Sequence, residues 1–128
     1  MDSARRMMDA DTASAALGIE LVVLGEGRAV CRMAVTAAMI NGHGLCHGGY
    51  VFLLADTAFA CACNTYGPVT VAAGAEITFV APAHEGDVLV AEAAERVRYG
   101  RSGLYDITVR KSDGQVVAEF RGRGRELR

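Results

Sequence analysis

Between Tyr50 and Cys63 the chain runs YVFLLADTAFACAC, a helix-length stretch in which only Asp56 and Thr57 interrupt an apolar sequence. A surface helix shows a polar face at helical spacing, and this one shows none. It must therefore be wrapped by other structure over most of its surface. It is too short and too alanine-rich for a membrane span, which takes about 18 or more strongly apolar residues. Burial in a soluble fold is what it demands, and Asp56 is then an anomaly. A carboxylate buried without partners neutralises or is strongly destabilising. Asp56 must have local donors or line a cavity, and both outcomes point to a site.

The stretch before it, Asn41-Gly42-His43-Gly44-Leu45-Cys46-His47-Gly48-Gly49, is a glycine-laden turn carrying an amide and two imidazoles. It feeds straight into the apolar helix, whose first backbone N–H groups have no intrahelical acceptor and carry the positive end of the helix dipole. Residues 3–16 read as one short N-terminal helix stopped at Gly18. Residues 19–24 and 28–35 are β-type runs around Gly25-Glu26-Gly27, a hairpin signature. Gly67-Pro68 closes the helical region, since proline cannot continue a helix. Everything beyond reads as strand, at 69–80, 87–98, 103–111 and 115–123, with Ser112-Asp113-Gly114 a tight turn. The inventory predicts an α+β fold: a twisted antiparallel sheet curled round one long helix.

At 128 residues the chain is expected to form one domain, 1–128, long enough for a core but small for an enzyme enclosing its substrate unaided. Self-association is therefore expected. A net charge of −2 and the lack of a basic stripe interleaved with aromatics argue against nucleic-acid binding. Arginines do gather at Arg121, Arg123, Arg125 and Arg128, as a solvated strand end or a phosphate contact. Met7-Met8-Asp9-Ala10-Asp11 stands where a secretory signal needs an apolar core, so a cytoplasmic location is expected, with no membrane partner. Cys31, Cys46, Cys61 and Cys63 are irregularly spaced in apolar surroundings, which suits reduced core thiols.

Asn-Gly-His-x-x-Cys-His-Gly-Gly at 41–49, followed by Leu-Ala-Asp-Thr-Ala-Phe-Ala at 54–60, resembles the motif of the hotdog-fold acyl-CoA thioesterases. The branch it is similar to is the phenylacetate-pathway, PaaI-type one, and the likeness extends from Ala16-Leu17-Gly18-Ile19 to Phe120-Arg121-Gly122. The resemblance implies a curved antiparallel sheet around the central helix, subunits joined edge to edge, and active sites at the dimer interface of a homotetramer. It implies an acyl-CoA substrate, small or aromatic and of phenylacetyl type, and no cofactor. It assigns carbonyl polarisation to the Gly48 backbone N–H and attack to Asp56, as nucleophile or as general base.

Asn41 is expected to orient water or the thioester, and His47 to position the turn or contact the thioester region; both also fit purely structural roles in a turn. Gly49, Gly74 and Arg101 complete the candidate substrate-binding positions, with Arg101 aimed at the phosphates of CoA. Some relatives present a Ser or Thr from the strand after the helix, whereas this chain reads Val71-Ala72-Ala73-Gly74-Ala75-Glu76. Four rivals stand beside this reading. A zinc site from His43, Cys46, His47, Cys61 and Cys63 lacks any Cys-x-x-Cys pair. A Cys46 nucleophile rests only on the adjacency of His47. A non-catalytic acyl-CoA-binding module of the same fold leaves the carboxylate of Asp56 without a purpose. Enoyl-thioester hydration wants a histidine soon after the aspartate, and none follows Asp56 until His84.

Overall fold

The computed structural model describes residues 1–127. In chain order the elements are α1 (Asp2–Ala10), α2 (Thr12–Ala16), β1 (Glu20–Gly25), β2 (Arg28–Ala34), a 3-10 turn (Ala37–Met39), α3 (Gly48–Cys63), β3 (Thr70–Phe79), β4 (Val88–Tyr99), β5 (Ser102–Lys111) and β6 (Val116–Glu126). The six strands form one sheet in the order β1-β2-β4-β5-β6-β3, with every neighbouring pair antiparallel. The sheet curls around α3, as the hotdog arrangement requires.

Alternation along the strands decides which face meets the helix. On β5, Gly103, Tyr105, Ile107 and Val109 are buried; on β6, Ala118, Phe120, Gly122 and Gly124 are buried while Glu119, Arg121, Arg123 and Arg125 are exposed. The buried set packs on Leu54, Ala55, Ala58, Phe59 and Ala62 of α3. Phe59 lies against Tyr105 and Phe120, with ring centroids 5.6 and 6.0 Å away. A Cβ on Gly122 would fall 2.8 Å from three atoms of the Phe59 ring, so the close approach of strand to helix there needs glycine. Full burial of side chains such as Leu54 and Phe59 contributes roughly 1.5–3 kcal/mol each. All four cysteines are free, buried thiols.

Several boundaries differ from the sequence expectation, among them the end of β6, which reaches Glu126 rather than the expected 123. The N-terminal helix expected over 3–16 breaks at Asp11, whose extended backbone ends α1 and whose carboxylate accepts from the Ser14 N–H (2.9 Å) to cap α2. The central helix stops at Cys63, before Gly67-Pro68, because Asn64 ends it. The Asn64 amide donates to the Ala60 (2.8 Å) and Thr70 (2.9 Å) carbonyls and accepts from the Thr70 N–H (2.9 Å), clamping the end of α3 to the start of β3.

The wrapping of α3 is incomplete. Gly49, Leu53, Asp56 and Ala60, at helical spacing, stay wholly or partly open to solvent. β3 is an edge strand bonded only to β6, and it leaves Val71 and Phe79 exposed. The open stripe and the open β3 edge are unfinished surfaces of the protomer, as is the other sheet edge at β1.

Candidate active site

The turn entering α3 is held by backbone and amide hydrogen bonds. Asn41 Oδ1 accepts from the N–H groups of His43 (2.9 Å) and Leu45 (3.1 Å), while its own N–H donates to the Leu45 carbonyl (2.7 Å). Its oxygen is thus committed to the turn. Its side-chain NH2 has no protein acceptor among the described residues, and Asn41 lines a cavity at the start of α3. The Cys46 N–H donates to the Ala83 carbonyl and the His47 N–H to the Met39 carbonyl, both at 2.8 Å. These bonds fix where the helix begins.

His47 is the N-cap. Its Nδ1 accepts from the Gly49 N–H at 3.0 Å, and its carbonyl accepts from the Tyr50 N–H at 3.0 Å. The imidazole therefore acts on the helix end, and a ring proton sits at Nε2. Gly49 is consumed by this cap. The Gly48 N–H is left with no acceptor among the described residues, and Gly48 opens on the same cavity as Asn41. That cavity, about 490 Å³, is walled chiefly by apolar groups, among them Leu45, Val51, Phe79, Val80, Pro82 and Val117. Mostly apolar concavities of this size with few convergent polar groups are typical small-ligand sites.

Asp56 lies on the open stripe of α3, partly buried and without a hydrogen-bond partner among the described residues. Burial first, and then the Asp11 carboxylate, push its carboxyl above the ordinary carboxylate range. Asp11 is brought there by the break between α1 and α2. Its Oδ2 accepts from the Ser14 hydroxyl (2.6 Å), which in turn meets the Thr57 hydroxyl (2.9 Å) beside Asp56. No sequence motif marks Asp11 for this place; its only signal is that of a helix cap in a chain that otherwise reads as helix.

The structure gathers Asn41, His47, Gly48 and Gly49 at the helix start and keeps Asp56 apart. Eight residues along the helix are a rise of ~12 Å, far beyond the reach of one reacting carbonyl. Gly74 faces away from α3: it sits at a bulge in β3, and its missing Cβ makes room for the Arg123 guanidinium on the outer face of the sheet. Arg101 lies near the far end of α3, in a crevice with Cys63, Tyr66, Arg98 and Glu126. Within one protomer, then, Gly74 and Arg101 do not join the Gly48 cavity.

The rival chemistries fare as follows. Among the described residues no three His, Cys, Asp or Glu side chains converge as a metal-binding group. The Cys46 thiol is 7% exposed, and burial, followed by Asp87, pushes its pKa up. The His47 ring nitrogen that could have served it takes the Gly49 N–H instead. Arg121 is paired with Asp106 at 2.7 and 3.1 Å, which accounts for part of the arginine cluster; Arg128 lies outside the described residues. No helix among the described residues is long and apolar enough to cross a membrane.

Comparison with known proteins bears on the chemistry. A family model described as the thioesterase superfamily matches residues 43–118, a span that includes His47, Gly48 and Asp56. The acyl-coenzyme A thioesterase PaaI of Escherichia coli K12 is 44% identical over 125 residues, 98% of this chain and 89% of that protein. The solved structure of the E. coli PaaI protein from the phenylacetic acid degradation operon superposes with a TM-score of 0.96 at 43% identity, covering 99% of this chain and 92% of that one. Human acyl-coenzyme A thioesterase 13 is 30% identical over 108 residues, 80% of this chain and 76% of that protein.

Proposed function

The chain belongs to the thioesterase superfamily, and from that membership we propose that it hydrolyses small or aromatic acyl-CoA thioesters, of the phenylacetyl type, to free acid and CoA. The observation that carries the reading is the Gly48 N–H, without an acceptor among the described residues, on a glycine that lines an apolar cavity at the positive end of a helix. Such a donor stabilises the oxyanion of a tetrahedral thioester intermediate, and glycine lets the substrate come close. The Asn41 NH2 is the second donor, and His47 keeps the helix start rigid.

Asp56 supplies the attack. Because Asp56 lies ~12 Å from Gly48 along one helix, the two halves come together between subunits on this reading, with Asp56 opposite Gly48 of the partner subunit. The open edge of β3 and the open stripe of α3 favour such a dimer, because sheet continuation satisfies exposed strand N–H and C=O groups. Dimers pair into a homotetramer, in the cytoplasm. In the reaction, either an Asp56 oxygen adds to the carbonyl carbon, or Asp56 takes a proton from water and hydroxide adds. On the first path the C–S bond breaks to release CoA thiolate and leave an Asp56–acyl anhydride. Water hydrolyses the anhydride to the free acid and the regenerated carboxylate, its released proton going to the thiolate. On the second path the C–S bond breaks and the thiolate takes the proton that Asp56 removed from water. A raised carboxyl pKa makes Asp56 the stronger base for this step. Arg101 and Gly74 serve the CoA portion across the assembled interface.

A thiol-release assay over acetyl, hexanoyl, benzoyl and phenylacetyl-CoA tests the proposal. Turnover of at least the aromatic members is expected; no thiol release from any of them would leave a binding module in its place.

A further inference from the structure

Phe79 is the last residue of β3, and it is 54% exposed although it is large and apolar. It is not a stray surface group. Its ring tip leans on the Cα of Gly48: a Cβ built there would lie 2.8 Å from Cζ and 3.2 Å from Cε1. The ring thus occupies the space that any side chain at position 48 would fill, and Phe79 and Gly48 line the same cavity. Val80, 57% exposed, continues the same wall. Among the described residues, no charged side chain lines the cavity.

We propose that Phe79 is the acyl-selecting residue of the site, an aromatic wall beside the Gly48 N–H against which a flat aromatic acyl group stacks with its carbonyl at that donor. The inference rests on the thioesterase reading above and adds to it the residue that sets the acyl class. Two features of the wall support it. A half-exposed aromatic ring whose tip abuts Gly48 offers stacking that an aliphatic wall does not. A cavity without charged lining disfavours a charged acyl group, which would be desolvated there without a partner. Offset stacking with a ring contributes ~1 kcal/mol beyond simple burial, so the wall sets the ratio between acyl groups more than the overall rate.

The experiment compares wild type, Phe79→Ala and Phe79→Leu, each checked for native thermal unfolding and oligomeric state, on phenylacetyl, hexanoyl, acetyl and succinyl-CoA. In wild type, phenylacetyl-CoA is expected to exceed hexanoyl-CoA in kcat/KM, and succinyl-CoA to be the poorest. Phe79→Ala is expected to lower the phenylacetyl to acetyl ratio of kcat/KM roughly tenfold, mainly through KM. Phe79→Leu, which keeps apolar bulk and loses the ring, is expected to lower the phenylacetyl to hexanoyl ratio. A uniform fall on all four substrates would make Phe79 a structural residue and overturn the inference, as would unchanged ratios. Absence of wild-type turnover on every substrate would instead overturn the thioesterase reading, and this inference with it.

Discussion

Gly48 and Gly122 form a natural pair for testing the site, because a methyl added at either meets a phenylalanine at the same distance. At Gly122 the new Cβ falls 2.8 Å from three atoms of Phe59, a ring 1% exposed and walled by Tyr105 and Phe120. That ring has nowhere to go. Overpacking of this kind costs about 1–3 kcal/mol, which for a chain of this size lowers Tm by roughly 4–12 °C. At Gly48 the obstacle is the tip of Phe79, more than half exposed in the protomer and less tightly enclosed than the Phe59 ring. The backbone is no barrier either, since Gly48 is not among the positive-φ glycines. Moving Phe79 costs under ~1 kcal/mol, and alanine gains up to ~1 kcal/mol over glycine in a helix, so the two offset. Catalysis is another matter. The methyl and the displaced ring crowd the N–H that would hold the oxyanion, and loss of one such donor lowers kcat about 10²–10³-fold. Gly48→Ala is therefore expected to unfold within ~4 °C of wild type with almost no thiol release. Gly122→Ala is expected to unfold early yet turn over normally at a temperature where it is folded. Calorimetry and a thiol-release assay on both variants decide the matter. If Gly48→Ala is destabilised as much as Gly122→Ala, or retains more than a tenth of wild-type kcat, the placement of Gly48 at the carbonyl is wrong.

Asp56→Asn should lower turnover about 10²–10⁴-fold, the usual worth of a positioned base. Because the folded protein holds the Asp56 carboxyl above its unfolded value, the group's contribution to stability is intact below the ordinary carboxylate range and is lost as pH rises through the raised value. The variant should therefore show a higher urea midpoint than wild type at pH 8 and converge with it in acid, and the opposite order would refute this account. Asp11→Asn keeps the α2 cap, since asparagine caps as well as aspartate, but removes the charge that helps push Asp56 up. The acid limb of kcat/KM should move to lower pH, and an unmoved limb would show that Asp11 does not reach the site. Asn64→Ala deletes three partly buried hydrogen bonds at about 1 kcal/mol each, so Tm should fall roughly 10 °C with the kcat of folded protein retained.

Several features were legible in the sequence because they are local. An apolar run without a polar face dictates a wrapped helix, whatever wraps it. Glycine-bounded alternating runs dictate antiparallel strands, and a lone carboxylate in such a helix marks a site by its desolvation alone. The motif from Asn41 to Gly49 located the helix start within a residue or two, and with it Gly48. Hydrogen-bond partners were not legible. Adjacency made His47 a candidate for catalysis and for Cys46 activation, whereas in the fold its Nδ1 takes the Gly49 N–H, leaving Gly48 as the free donor. Period-two reasoning cannot see a bulge, and the bulge between Ala72 and Gly74 fits the finding that Gly74 faces Arg123 on the outer side of the sheet.

By itself, then, the sequence determined the central helix, the strands wound on it and Asp56 as a carboxylate in need of an explanation, since periodicity, turn chemistry and the cost of burying a charge act over a few residues. Only the tertiary structure decided what those residues do to one another. Packing set Phe79 on Gly48, brought Asp11 to Asp56 through the break at residue 11, and left β3 and one stripe of α3 uncovered. These outcomes depend on contacts between segments far apart in the chain, where the approach of one side chain is set by the shape of all the others.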